Sequence, residues 1–270
     1  MTYNVSQSAD KFFVERFNIP FNIITYYLSE NLNYHWEKKI NILDFGCGVG
    51  ITALRFAFEF PSANIYGIDI VDDFKRLEKL TKKNLSNSYI AKNINFQTFN
   101  QHNLPFENNL FDFIYSWSVF EHIERQYLKQ SIRNLWNILK NDGIIFVQIN
   151  PLYYSSRGAH LYNYIQTPWI HLIEQHDSLI KILKSKNIKE KTGIKDDIIF
   201  NNKINYTINQ YQALNKITST ELIELFCEEG FICIFQDRKH ESLIPPKRLL
   251  MIYNYEILTN NQIIAIFKKK

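Results

Sequence analysis

Between residues 40 and 150, short runs of β-branched and aromatic residues alternate with longer segments whose apolar positions recur at helical spacing. The short runs predict strands over 40–45, 64–70, 95–99, 111–116 and 143–150. The longer segments predict an apolar helix over 51–60 stopped by Pro61, a charged amphipathic helix over 72–85, and a third over 124–139. In the third, Tyr127, Leu128, Ile132, Leu135, Ile138 and Leu139 share one face, and Asn141-Asp142-Gly143 supplies a turn signal after it. Strands and helices alternating in this way build βαβ units around a parallel sheet.

Outside that stretch the pattern changes. A helix is predicted over 21–36, ahead of the first strand. Residues 151–215 break the alternation, aromatic and His-rich at first and Lys-rich from Lys181 to Lys195, which predicts a helical insertion. Thr218-x-x-Glu221 is a capping box ahead of the apolar run Leu222, Ile223, Leu225 and Phe226. Strands over 231–236 and 262–267, with Pro245-Pro246 and a short helix between them, complete the sheet. The expected division is 1–39 (N-terminal helical segment), 40–150 (core), 151–215 (insertion) and 216–270 (completion of the sheet).

Hydrophobic residues make up 46% of the 270 and charged residues 21%, ordinary globular usage that excludes global disorder. Thirty-one Lys and Arg against 27 Asp and Glu give a net charge of +4, too modest for a polyanion-binding stripe. Cys47, Cys227 and Cys233 are odd in number and form no CxxC pair, which speaks against a disulfide framework and for a reducing compartment. With no signal-type apolar region near the start and no run approaching ~18 apolar residues, the expectation is an unanchored cytoplasmic protein. Heavy use of Asn, Ile, Lys, Tyr and Phe, which have AT-rich codons, suggests a low-GC bacterial origin.

The sharpest chemical feature is Ile42-Leu43-Asp44-Phe45-Gly46-Cys47-Gly48-Val49-Gly50, a strand that runs through Gly-x-Gly-x-Gly into a helix. Such glycines either let the backbone approach a ligand at a helix N-terminus or simply make a tight turn. Two acids favour the ligand: Asp44 at the strand end, which needs a cation or donors if buried, and Asp69 closing the second strand, where a carboxylate can accept two ribose hydroxyls. A dinucleotide fingerprint would put a small residue at position 51, and Ile51 stands there.

Together with Leu104-Pro105-Phe106 and the Phe111-Asp112 strand, this order of motifs resembles class I S-adenosylmethionine-dependent methyltransferases over residues 40–150. The resemblance implies a Rossmann-like α/β fold, a seven-stranded mostly parallel sheet flanked by helices with the helical insertion after strand five, and S-adenosylmethionine as cofactor. It places Asp44, Gly46, Cys47 and Gly48 at the methionine end, Asp69 at the ribose and Ile70 beside the adenine. Asn100 stands where the family commonly has an aspartate near the adenine amine, with Gln101 and His102 as neighbours. Ser116 and Trp117 would cover the methyl group, although Trp117 also fits an aromatic plug in the core.

An acceptor must come from loops beyond strands four and five. Phe120-Glu121-His122 follows strand four. After strand five, Ser156-Arg157-Gly158-Ala159-His160 and Pro168-Trp169-Ile170-His171-Leu172 are similar to the His-bearing insertion of methyltransferases from bacterial surface-polysaccharide (capsule, O-antigen) clusters. His122 and His160 are the candidate bases for a hydroxyl acceptor, and Tyr153, Tyr154, Arg157, Trp169 and His171 the candidate acceptor contacts. His160, His171 and His176 do not have a recognised ligand spacing, so no metal is expected. The expected partner is a small sugar, nucleotide-sugar or phosphorylated precursor, with tRNA or rRNA methylation, or a non-catalytic cofactor-binding subunit, as alternatives.

Overall fold

The computed structural model describes residues 4–32, 39–86, 91–100 and 103–270. Its sheet has seven strands: β1 (Asn41–Phe45), β2 (Asn64–Asp69), β3 (Ile94–Thr98), β4 (Phe111–Trp117), β5 (Leu139–Ile149), β6 (Phe231–His240) and β7 (Asn260–Lys269). They lie in the order β3-β2-β1-β4-β5-β7-β6. The pairs from β3 to β5 are parallel, and β7 runs antiparallel between β5 and β6. The expected mostly parallel seven-stranded sheet is therefore present. Its central strands are covered on both faces and so are almost continuously apolar.

One face packs against α1 (Lys11–Leu32) and α2 (Ile51–Glu59), with Phe13, Phe17, Ile24, Leu54 and Phe56 buried together with Ile42 and Tyr115 of the sheet. After α3 (Leu77–Asn84), the other face packs against α4 (Leu128–Ile138) and, later in the chain, the helix Ser219–Glu228; Ile132, Leu135 and Phe226 meet Phe267 there. Four helices lie between β5 and that later one: α5 (Ile170–Ile173), α6 (His176–Leu183), α7 (Lys186–Thr192) and α8 (Asp197–Ala213). They gather around a separate cluster that includes Leu161, Leu179, Leu183, Phe200, Ile204 and Ile208. The helix Ser219–Glu228 is α9, and α10 (Lys247–Leu250) and α11 (Tyr255–Thr259) precede β7. Among the described residues no helix is long and apolar enough to cross a membrane.

Several boundaries differ from the sequence reading for local reasons. β5 begins at Leu139, where backbone pairing with Phe111 takes over from the helix, and Asp142 at φ 64° is absorbed into an irregularity within the strand. The 72–85 segment splits into a 3₁₀ turn, Asp73–Arg76, followed by α3. At α9 the Thr218 side chain accepts from Glu221 N–H at 3.2 Å, but the Glu221 carboxylate pairs with Arg125 instead of returning to the cap.

The largest correction is α1, which starts at Lys11 rather than at residue 21. Pro20 lies inside it. Proline has no N–H to give the carbonyl four residues back, here Arg16, so a helix through it leaves that oxygen unpaired. Thr52 Oγ1, on α2, donates to the Arg16 carbonyl at 2.9 Å and supplies the missing bond from a neighbouring helix. Thr52→Val keeps the shape and removes the donor; a loss of about 1 to 2 kcal/mol is expected in urea unfolding, the scale for stranding a buried carbonyl.

Candidate active site

The chain leaves β1 toward β2 on one side and β4 toward β5 on the other, so the loops beyond these adjacent strand ends diverge and leave a crevice. A cavity of roughly 440 Å³ fills it. Gly46, Gly48 and Gly50 all have positive φ, at 80°, 52° and 81°. Their surroundings separate their roles: a Cβ on Gly46 would lie 2.3 Å from Val119 and one on Gly50 2.5 Å from Phe96, whereas one on Gly48 would meet nothing within 4 Å. Gly46 and Gly50 are glycines for packing, and Gly48 opens onto the cavity.

Asp69 holds this loop in place. Its Oδ2 accepts from Gly48 N–H at 2.8 Å and its Oδ1 from Val71 N–H at 3.2 Å, while Gly46 and Cys47 N–H both donate to the Ile68 carbonyl at 2.9 Å. Asp44 is 3% exposed at the end of β1 and lines the same cavity. Burial pushes its carboxyl up to about 7, with Tyr115 and Arg16 opposing and Asp69 reinforcing the rise. The Cys47 thiol, also on the wall, is pushed up by burial and by the two neighbouring acids, which makes it a poor nucleophile.

Of the expected cofactor residues, Asp44, Gly46, Cys47, Gly48, Asp69, Ile70 and Trp117 line the cavity. Ser116 does not: strand alternation turns it away from Trp117, and its hydroxyl is fully buried. Asn100 is not on the wall either, and its Oδ1 accepts from Asn103 N–H at 3.0 Å; Phe99 lines the cavity instead. Gln101 and His102 lie outside the described residues.

His122, at the end of a 3₁₀ turn Phe120–His122, is on the cavity wall, and the His160 ring meets it edge to face with centroids 5.2 Å apart. Burial lowers the pKa of both imidazoles, His122 to about 4 with His160 contributing, so both are neutral near pH 7. Glu121, between Phe120 and His122 on the same turn, is 3% exposed, and burial pushes its carboxyl up to about 8. Asn215 clamps the turn, its Nδ2 donating to the Phe120 and Ile123 carbonyls at 2.6 and 2.7 Å and its N–H to the Glu121 carbonyl at 3.0 Å.

None of the expected acceptor contacts lines the cavity; each meets other parts of the chain. Trp169 is buried, its indole N–H donating to the Leu258 carbonyl at 3.1 Å. His171 Nε2 lies 2.6 Å from the Tyr153 carbonyl, and the Tyr153 ring packs on His171 inside the insertion. Tyr154 packs on Tyr253, and Arg157 stacks 3.8 Å over the centre of the Tyr162 ring. The wall is completed by residues the sequence reading passed over: Phe12 and Arg16 from α1, and Tyr206, Gln210 and Ala213 from α8. The last three recur at i, i+4 and i+7, a stripe distinct from the buried Phe200, Ile204, Ile208 and Tyr211.

Comparison with known proteins agrees with this geometry. Residues 42–143 match the family model of a methyltransferase domain. Malonyl-[acyl-carrier protein] O-methyltransferase of Bacillus anthracis is 28% identical over 195 residues, 72% of this chain and 62% of that protein. The aligned region thus spans less than two thirds of that relative. Among solved structures, a candidate sarcosine dimethylglycine methyltransferase from Galdieria sulphuraria superposes with a TM-score of 0.57 at 14% identity, covering 93% of this chain and 86% of that one. Haemonchus contortus phosphoethanolamine N-methyltransferase 2, in complex with S-adenosyl-L-methionine, gives 0.52 at 14% identity over 92% of this chain and 52% of the other. The fold is that of a class I S-adenosylmethionine-dependent methyltransferase. Residues 42–143 match a methyltransferase domain, and that match together with the fold supports S-adenosylmethionine as the cofactor.

The open face of Gly48 and the oriented Asp69 carboxylate fit a ribose and amino-acid chain laid across the loop. Asp69→Ala removes the acceptor that orients the loop and should weaken S-adenosylmethionine binding by ~1 to 3 kcal/mol in calorimetry. Asp44 supplies a pH test, in a setting that also contains Asp69, Arg16, Tyr115 and Cys47. From about pH 4 to 7 its carboxyl holds a proton in the folded, ligand-free chain that an unfolded aspartate has lost, so its contribution to stability falls as pH rises through that window. An ionised Asp44 facing the cationic end of the cofactor must shed that proton, so affinity should drop by up to about tenfold per pH unit below 7. Asp44→Asn should flatten the dependence and raise the ligand-free melting temperature at pH 8.

Proposed function

We propose that the chain is an S-adenosylmethionine-dependent O-methyltransferase acting in the bacterial cytoplasm on a small saccharide-derived or phosphoryl-bearing precursor of surface polysaccharide. The observation that carries this reading is that one cavity is lined both by the Gly48–Asp69 loop and by His122, Arg16, Tyr206 and Gln210. Hydroxyl, carboxamide, imidazole and guanidinium groups suit a polar acceptor with hydroxyls or an anionic group. The His-bearing segment 156–172 supports the saccharide setting, and the malonyl relative, named for O-methylation, supports oxygen over nitrogen.

S-adenosylmethionine supplies a methyl group made electrophilic by its sulfonium. The chain's part is to align donor and acceptor, exclude water and deal with one proton. As the acceptor oxygen forms its bond to the methyl carbon, the carbon–sulfur bond breaks and its electron pair stays on sulfur. The hydroxyl proton has the neutral His122 imidazole on the cavity wall to receive it. Arg16, reaching the cavity from α1, holds a phosphoryl or carboxylate group of the acceptor, and α8 lays Tyr206 and Gln210 over it as a cover.

A mass-shift screen of nucleotide-sugars, sugar phosphates, tRNA and malonyl-acyl-carrier protein tests the reading; a gain of one methyl group on a sugar-bearing compound is expected. Methylation of tRNA or of the malonyl thioester alone would replace the proposed acceptor class. On the acceptor so found, His122→Ala should keep cofactor affinity and lose ~100- to 10,000-fold in kcat, the range for removing a group that handles the transferred proton.

A further inference from the structure

His122 stands in a cluster more elaborate than a lone proton acceptor requires. Both Glu121 carboxylate oxygens, His122 Nδ1 and His160 Nε2 are buried without a hydrogen-bond partner. Glu121, His122 and His160 each offer one ligand-type atom, and these atoms lie within 4.8 Å of one another. Unpaired buried polar groups cost stability, and three that converge from two segments of chain need a common partner.

We propose that Glu121, His122 and His160 bind one first-row divalent transition-metal ion at the acceptor end of the cavity. The inference rests on the reading of that end as the acceptor site. Two imidazoles and one carboxylate suit zinc, cobalt or iron(II), whereas magnesium and calcium favour all-oxygen shells. Metal-binding histidines commonly direct their second nitrogen to a carbonyl, and the Pro151 carbonyl accepts from the His160 ring.

Local backbone geometry supports the cluster. Asn215 fixes the turn carrying Glu121 and His122, and His160 is held at φ 60°, a left-handed conformation uncommon outside glycine, with its N–H donated to the Arg157 carbonyl at 3.0 Å. A tetrahedral shell with bonds of about 2.0 to 2.1 Å sets ligand atoms about 3.4 Å apart, so loading draws the three together by about 1 Å. The charge opposing a cation is Arg16, whose field reaches Glu121.

Three protein ligands leave an open coordination position, and His122 places it toward the cavity. A hydroxyl bound there ionises more readily, its proton leaving to water in the cavity and its oxygen left as the nucleophile. In the loaded protein His122 gives its lone pair to the ion, and the ion takes over the activation of the hydroxyl.

The test uses the full chain, stripped with chelator and saturated with S-adenosylhomocysteine, titrated with Co²⁺ alone. One Co²⁺ per chain is expected, with visible absorption bands of a four- or five-coordinate site. Glu121→Gln and His160→Gln should each weaken Co²⁺ binding by more than about a hundredfold, beyond the ~10- to 100-fold cost of losing an outer-shell partner. Both variants should bind S-adenosylhomocysteine as the wild type does, which separates loss of the metal site from loss of the fold. Absence of saturable binding by the wild type, a six-coordinate spectrum like that of hydrated Co²⁺, or binding unchanged in both variants overturns the proposal. Failure of the wild type to bind S-adenosylhomocysteine counts against the cofactor reading instead, whatever Co²⁺ does.

Discussion

The hydrogen bond from Gly48 N–H to the Asp69 carboxylate joins the loop after β1 to the end of β2, and the ordering of the cofactor crevice depends on it. Parallel pairing of β1 with β2 puts these two strand ends side by side, and the carboxylate then fixes a glycine backbone that no side chain steadies. The same carboxylate also accepts from Val71 N–H, so one residue orders the chain on both sides of the opening. Across the crevice the loop after β4 has its own clamp, Asn215, which binds three backbone groups of residues 120–123. The cavity thus lies between two short segments, each fastened in part by one polar residue, Asp69 and Asn215.

Burial is used unevenly around this cavity. Asp44 and Glu121 are acids taken out of water, and Arg16 is the cation that acts on both. Neither carboxyl keeps an ordinary pKa: burial favours the protonated form of both, and a positively charged ligand would favour the release of those protons. Sites of this kind trade stability for binding, since the same two side chains made apolar would be easier to bury.

The sheet and the cofactor loop were legible in the sequence because both depend on local signals: continuous apolar runs for strands buried on both faces, and glycines where φ must be positive. α1 was only half legible. The helical pattern was followed only from residue 21, and a helix that runs through Pro20 depends on Thr52, thirty-odd residues later. The rest of the cavity wall was not legible for a related reason. Trp169 and His171 look exposed and chemical in sequence but are consumed by carbonyls of Leu258 and Tyr153, whereas Tyr206 and Gln210 sit unremarked in a helix whose other stripe is core. Glu121 was named within its segment but given no role; its nearness to His160 appears only when that residue arrives from a segment almost forty residues away.

The insertion contributes to the cavity almost entirely through one stripe of α8, while its other helices pack around a hydrophobic cluster of their own. On the proposed function, substitutions along that stripe would change what the cavity recognises without touching the Gly48–Asp69 join or the strands beneath it. For a lineage that must keep one methyl donor and change acceptors, this arrangement confines innovation to a few surface-facing positions of a single helix. Related chains are then expected to diverge fastest there, at residues 206, 210 and 213, while their glycine loops stay alike.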